Sequence, residues 1–176
     1  MGLIKSYAGK TPLLGERVYL AETAAVIGDV VLGDDVSVWY NSVIRGDCHA
    51  IRIGARSNVQ DNCAIHVTEE RSTTLEEEVT LGHGAIVHGA TVRRGALIGI
   101  RATVLDGADI GESALIGAGA LVTPRTSVPP RTLWLGAPAC QIRVLPDSEV
   151  ERMRHFHLHY LTYKEEYFKI DGKWAR

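Results

Sequence analysis

Small and aliphatic residues recur through the middle of the chain with a period of six. Ala90, Ala96, Ala102, Ala108, Ala114 and Ala120 are each followed two positions later by an aliphatic residue: Val92, Ile98, Val104, Ile110, Ile116 and Val122. Residues 89–124 therefore read as six consecutive units: GATVRR, GALIGI, RATVLD, GADIGE, SALIGA and GALVTP. A six-residue period marks a parallel β-helix. Each unit is a short strand plus a bend, and three units close one coil. The aliphatic residue points into the prism, the alanine sits near a corner, and coils stack at about 4.8 Å. The pattern predicts an all-β solenoid.

The same spacing runs backward. Inward positions fall at Val26, Leu32, Val38 and Ile44, then Ile53, Val59 and Ile65, then Leu75, Leu81 and Val87. Between these runs it slips: nine residues from Ile44 to Ile53, ten from Ile65 to Leu75, five from Val87 to Val92. Insertions in repeat proteins map to loops, and the second slip holds the polar run Glu69-Glu70-Arg71-Ser72. Pro124, Pro129, Pro130 and Pro138 end the regular coils. We expect one domain over 1–176, with the β-helix over 12–140 and a C-terminal α-helix over 146–170 packed on the prism. Ser148 and Glu151 read as a capping box. Val150, Met153, Phe156, Tyr160, Tyr163 and Tyr167 form one apolar stripe for that packing.

Composition removes several function classes. A net charge of −2 provides no broad basic surface for nucleic acid. No apolar run approaches the roughly 18–20 residues that span a bilayer, and the N-terminus has no signal-peptide pattern. Met1-Gly2-Leu3-Ile4-Lys5-Ser6 matches the loose myristoylation motif, a single signal without a second anchor. Cys48, Cys63 and Cys140 are odd in number and contain no C-x-x-C, so free thiols in the cytoplasm are expected.

The histidines carry the candidate chemistry. His155, His157 and His159 alternate along the predicted helix, which scatters their rings over different faces. They read as structural or solvated. His66 follows the inward Ile65 and His88 follows the inward Val87, three units later. Three units are one coil, so the two histidines stack with backbones about 4.8 Å apart, close enough to share one metal. Arg45, after Ile44, joins the same column one coil earlier. His83 lies two positions after Leu81, one face away, above Asp61 and beside Gln60. One prism does not easily bring His83 to the pair, whereas a threefold assembly places two such faces against each other. Three imidazoles leave a fourth position open for water, the arrangement of catalytic zinc, and zinc makes hydroxide available at neutral pH. Spacing alone leaves a second reading open, in which the three are ordinary polar residues of a solenoid surface.

Val43-Ile-Arg-Gly-Asp47, Ile53-Gly-Ala-Arg-Ser-Asn-Val-Gln-Asp61, His66 and Leu81-Gly-His-Gly-Ala-Ile-Val-His-Gly89 together resemble the signature of gamma-class carbonic anhydrase-like proteins. Leu135-Gly-Ala-Pro138 and the terminal helix fit too, so the resemblance covers roughly residues 10–170. It implies a left-handed β-helix, a homotrimer and interfacial metal sites. The hand rests on the resemblance alone, since crossovers between parallel strands are normally right-handed. By the same resemblance His66 and His88 of one subunit and His83 of its neighbour would hold Zn2+, with Co2+ or Fe2+ also accommodated by imidazoles. Gln60 would position the metal-bound water. Glu69 falls near the place of a proton-shuttle glutamate, and Tyr160 matches a tyrosine near the metal. Arg45 and Asp47 would form an interface ion pair, with Asn58 and Asp61 in the same interface motif.

The chain also departs from the family pattern. Cys48 stands where a glutamate is expected, the protrusion after His66 is short, and Thr162 replaces an asparagine. The ligands are thus kept while the proton-export side is altered. The implied function is reversible hydration of carbon dioxide to bicarbonate, with activity weakened or made redox-dependent by these changes. Two alternatives stay open. One is a hexapeptide acyl- or acetyltransferase, or a related thioester hydrolase. The other is a non-catalytic metal-binding trimer.

Overall fold

The computed structural model describes residues 2–171. Met1, which opens the myristoylation match, and residues 172–176 of the expected domain lie outside the described residues. The chain winds into a parallel β-helix of about seven turns, followed by one helix, Asp147–Asp171. Two sheets make three faces. The strand Val43–Ile53 pairs with Ala64–His66 through its first residues and with Thr73–Leu75 through its last, so it turns a corner and joins two faces into one sheet. A separate 8-stranded sheet forms the third face.

Register explains why the period of six folds this way. Val26, Ile44, Ile65, Val87, Val104 and Val122 align up the first face. Leu32, Ile53, Leu75, Val92, Ile110 and Val128 align up the second. Leu20, Val38, Val59, Leu81, Ile98 and Ile116 align up the third. None of these side chains is more than 3% exposed, and each contributes about 1.5–3 kcal/mol by leaving water. The ladder alanines are buried at the corners. Beside them the backbone bends through left-handed residues six apart: Gly95, Arg101, Gly107, Ser113, Gly119, Arg125 and Arg131, at φ between 53 and 71°. Such a residue costs about 1–2 kcal/mol when it is not glycine, a cost the continuous core offsets.

Parallel pairing begins at Leu3–Lys5, which aligns with Ala25 to Ile27, ahead of residue 12 where the repeat becomes legible. The coils end in an antiparallel hairpin, Thr132–Gly136 with Ala139–Val144.

The helix differs from expectation in two respects. Ser148 lies inside the first turn rather than at the cap; the carbonyl of Pro146 accepts from the amides of Glu149 and Val150. The inward stripe is also rotated. Met153, His157 and Lys164 are buried and Tyr160 and Tyr167 half-buried, whereas Phe156 and Tyr163 are 48% and 45% exposed. Polar and aromatic contacts, not aliphatic count, set that rotation. The Lys164 ammonium donates to Asp35 Oδ1 at 2.6 Å and to the Arg17 carbonyl at 3.0 Å. Tyr160 and Tyr167 pack edge-on against Trp39 at centroid distances of 5.4 and 5.1 Å. His157 is buried, which lowers its pKa, while His155 and His159 are exposed.

Candidate metal centre

His66 and His88 end two neighbouring strands of the first face, Ala64–His66 and Ile86–His88, and are direct register partners. Their rings tilt together with His66 Nδ1 3.0 Å from His88 Nε2. Each ring's other nitrogen is held by a carboxylate. His66 Nε2 lies 2.9 Å from Asp47 Oδ1, and His88 Nδ1 lies 2.5 Å from Asp106 Oδ1. Asp47 also accepts from Arg45. Burial pushes the Asp47 carboxyl up, but the hydrogen bonds from His66 and Arg45 outweigh it and hold it at about 2. It is therefore an acceptor at neutral pH.

These partners assign the tautomers. A carboxylate accepts only, so the nitrogen facing it carries a proton, and in a neutral imidazole the other then carries a lone pair. With each outer nitrogen on a carboxylate, the inner nitrogens of His66 and His88 face each other at 3.0 Å. Two ring nitrogens placed in this way can share one proton or one metal ion. Imidazoles oriented by carboxylates in this way are the usual support of metal ligands, so the residues fit a metal.

His83 follows Thr80–Leu81 on the third face. It repeats the motif: Nδ1 is 2.8 Å from Asp61 Oδ2, which leaves Nε2 free, and Asp61 Oδ1 accepts from the Tyr40 amide at 3.1 Å. Among the described residues no hydrogen bond or ring contact joins His83 to His66 or His88. The three histidines are built alike but do not converge within one chain. Asp47, Cys48 and His66 form the one group of three metal-capable side chains found together among the described residues, their donor atoms within 4.8 Å of one another.

Gln60 is 6% exposed and donates to Asn58 Oδ1 at 3.3 Å; Asn58 in turn donates to Thr80 Oγ1 at 2.8 Å. Gln60, His83 and Tyr160 line the same groove between the third face and the helix. Burial raises the Tyr160 hydroxyl to about 12, so it remains protonated. Glu69 is exposed in the loop between Ala64–His66 and Thr73–Leu75, with no bond to the histidines. The Thr162 hydroxyl donates back to the Leu158 carbonyl at 3.3 Å, a contact within its own helix.

No family model matches the chain. A carbonic anhydrase of Geobacillus kaustophilus is 42% identical over 167 residues, which cover 95% of this chain and 91% of that protein. The mitochondrial gamma carbonic anhydrase 2 of Arabidopsis thaliana is 40% identical over 147 residues, covering 80% of this chain and 53% of the longer plant protein. The chain belongs to the gamma-class carbonic anhydrase-like family. A solved Bacillus cereus structure described as an acetyltransferase candidate matches this gamma carbonic anhydrase-like chain with a TM-score of 0.94 at 39% identity, over 96% of this chain and 98% of that one. One scaffold thus goes under two names, and side chains must separate them.

Asp106 is the residue that sequence reasoning missed. It lies two positions after the inward Val104. The same offset of two places Asp61 after Val59 and His83 after Leu81. The signal was present, but with no histidine beside it in sequence nothing marked it.

Proposed function

We propose that the protein hydrates carbon dioxide reversibly to bicarbonate at metal centres shared between the subunits of a homotrimer. The observation that carries this reading is the pair of imidazoles whose inner nitrogens face each other at 3.0 Å, each backed by a carboxylate. His83, backed by Asp61, supplies the third donor from the neighbouring subunit. Zn2+ suits three imidazoles, with Co2+ or Fe2+ as substitutes. When bound, such an ion supplies a Lewis-acid centre with an open position that makes hydroxide available at neutral pH.

The chain's own groups do the rest. Gln60, buried and tethered to Asn58, orients the attacking water against carbon dioxide. Tyr160 stays neutral and offers a hydroxyl at the edge of the site. Arg45 and Asp47 hold His66 and, with Asn58 and Asp61, brace the subunit contact. Glu69, exposed in its loop, carries the released proton toward solvent, since Cys48 stands where the family glutamate would. Among the described residues no helix is long and apolar enough to cross a membrane. The free thiols at Cys48, Cys63 and Cys140 suit the cytoplasm.

Elemental analysis, oligomeric mass and stopped-flow hydration on one preparation test the reading. It expects about one metal per chain in a trimer and hydration above buffer under reducing conditions. A metal-free monomer would remove the shared site. A metal-loaded trimer without hydration would leave a binding protein. Saturable acetyl-coenzyme A binding would favour the transferase reading.

A further inference from the structure

The third face grades from polar to aliphatic along the solenoid axis. Its outward column reads Asn58, Thr80, Leu97, Leu115 and Leu133 on successive coils. Over the same coils the column of the second face is polar: Arg52, Thr74, Thr91, Asp109 and Ser127. The first face's column mixes Ile86, Thr103 and Leu121, so an unbroken run of three leucines distinguishes the third face. The helix flanks this column with Met153 and Phe156 but does not cover it. The leucines remain half-buried and Phe156 is 48% exposed. Between helix and column runs a groove of about 600 Å³, within the range of ligand sites.

The ends of the groove differ. At one end lie Gln60, His83 and Tyr160, the residues assigned above to the reactive centre. At the other lie Leu133, Glu149 and Arg152. Glu149 is bonded to Arg143 at 3.0 and 3.1 Å, so the far end is a charged stop. Three coil steps separate Thr80 from Leu133, about 14 Å at the inter-strand spacing. Carbon dioxide has three heavy atoms and no chain to place there. At about 1.3 Å of advance per C–C bond, about 14 Å spans about eleven bonds, and a chain that ends short of the charged stop has about ten carbons.

We propose that this groove binds a linear aliphatic acyl chain of about eight to ten carbons, its carboxyl or carbonyl end at Gln60 and His83 and its methyl end short of Arg152. The proposal rests on the reading of His83 as part of the reactive centre and assigns the substrate side of that centre. A carbonyl carbon seated there occupies the place of carbon dioxide, so an aliphatic carboxylate competes with hydration.

The test uses the full-length, metal-loaded protein and the probes acetate, hexanoate, octanoate and decanoate. Calorimetry gives each affinity, and stopped-flow hydration gives each inhibition constant. Affinity is expected to rise about twofold to fourfold per added methylene, the upper figure being full burial, and to level off near ten carbons. Leu97→Gln should flatten that slope from the shortest chains, whereas Leu133→Gln should flatten it only beyond about eight carbons. Both leucines are half-buried on the outer face, and thermal unfolding checks that the variants fold. Affinity independent of chain length would overturn the proposal. So would a Leu97→Gln or Leu133→Gln variant with altered oligomeric mass, since the leucines would then be subunit surface. Calorimetry stands apart from turnover. A chain-length slope without hydration would keep the groove and sink the hydratase reading, and hydration without a slope would do the reverse.

Discussion

Replacing Lys164 by methionine tests what seats the helix, and with it Tyr160 one turn away. Lys164 is 1% exposed, and its ammonium reaches Asp35 Oδ1 at 2.6 Å and the Arg17 carbonyl at 3.0 Å. Asp35 is held at about 2, chiefly by the Arg17 guanidinium and then by Lys164, against burial that pushes it up. A fall from 3.8 to about 2 corresponds to about 2.4 kcal/mol. Arg17 supplies the larger share, so losing Lys164 removes about 1 kcal/mol through Asp35. The Arg17 carbonyl left unpaired adds about 1 kcal/mol, and relief of the buried ammonium's desolvation subtracts from the sum. The expected loss is about 1–2 kcal/mol, or about 2–8 °C in Tm. Asp35 is the depressed partner, so its contribution is complete above the unfolded carboxylate pKa near 3.9 and is lost as pH falls toward 2. The gap between wild type and Lys164→Met should stay constant from pH 8 to about 5 and close below that. Urea unfolding at fixed protein concentration measures it. A gap under about 0.5 kcal/mol at pH 7, or one that widens in acid, would refute the assignment.

Further outcomes follow from the site. His83→Ala and His66→Ala chains should each bind no metal alone, whereas the proposed sharing of ligands between two subunits has trimers assembled from an equal mixture recover about a quarter of the wild-type metal. No recovery on mixing would place all ligands in one chain. Asp106→Asn should weaken metal binding about 10- to 100-fold in a chelator competition, with Asp106→Glu partly restoring it; a change below about threefold would reduce Asp106 to a surface contact. Cys63 donates to the Gly82 carbonyl at 3.2 Å, and burial pushes its thiol up to about 12. It should resist alkylation until the protein unfolds, and labelling at the native pH optimum of the reagent would contradict that.

The coil architecture was legible because it depends on a strictly local rule. One inward aliphatic per six residues is a sequence property, and each inward residue counted from the alanine ladder aligns with its partner on the next coil. The same counting stacked His66 on His88 and placed Asp61 beside His83. What failed depended on contacts between distant segments. The helix stripe was read as if burial followed hydrophobicity, but Lys164 turns inward for Asp35, 129 residues away. Left-handed corners at Arg101, Ser113 and Arg125 carry no compositional mark, since the coil imposes their conformation. Pairing of Leu3–Lys5 with the strand at Ala25 lies outside any run of six. Asp106 shares the offset of two with Asp61, but its partner His88 lies 18 residues away, so the offset alone did not mark it.

A stack of parallel strands also limits what a metal site on it can be. Side chains at equivalent positions form a straight column with about 4.8 Å between steps. Two adjacent members can meet one ion, as His66 and His88 are placed to do. A third member of the column is two steps, about 9.6 Å, from the farther histidine's backbone, and here those places hold Arg45 and Leu105. A tetrahedral set needs a donor off that line. The extra residues between Ile44 and Ile53 bring Asp47 and Cys48 to His66, but the Asp47 oxygens already accept from His66 and Arg45. That leaves Asp47 as the group that orients the imidazole. The remaining off-line donor of matching construction is His83 with its own carboxylate, on another face of the prism. In the proposed trimer, a solenoid that builds half of a histidine site on one face and the other half on the next completes it by packing against a copy of itself, and oligomeric mass and metal content should then rise and fall together.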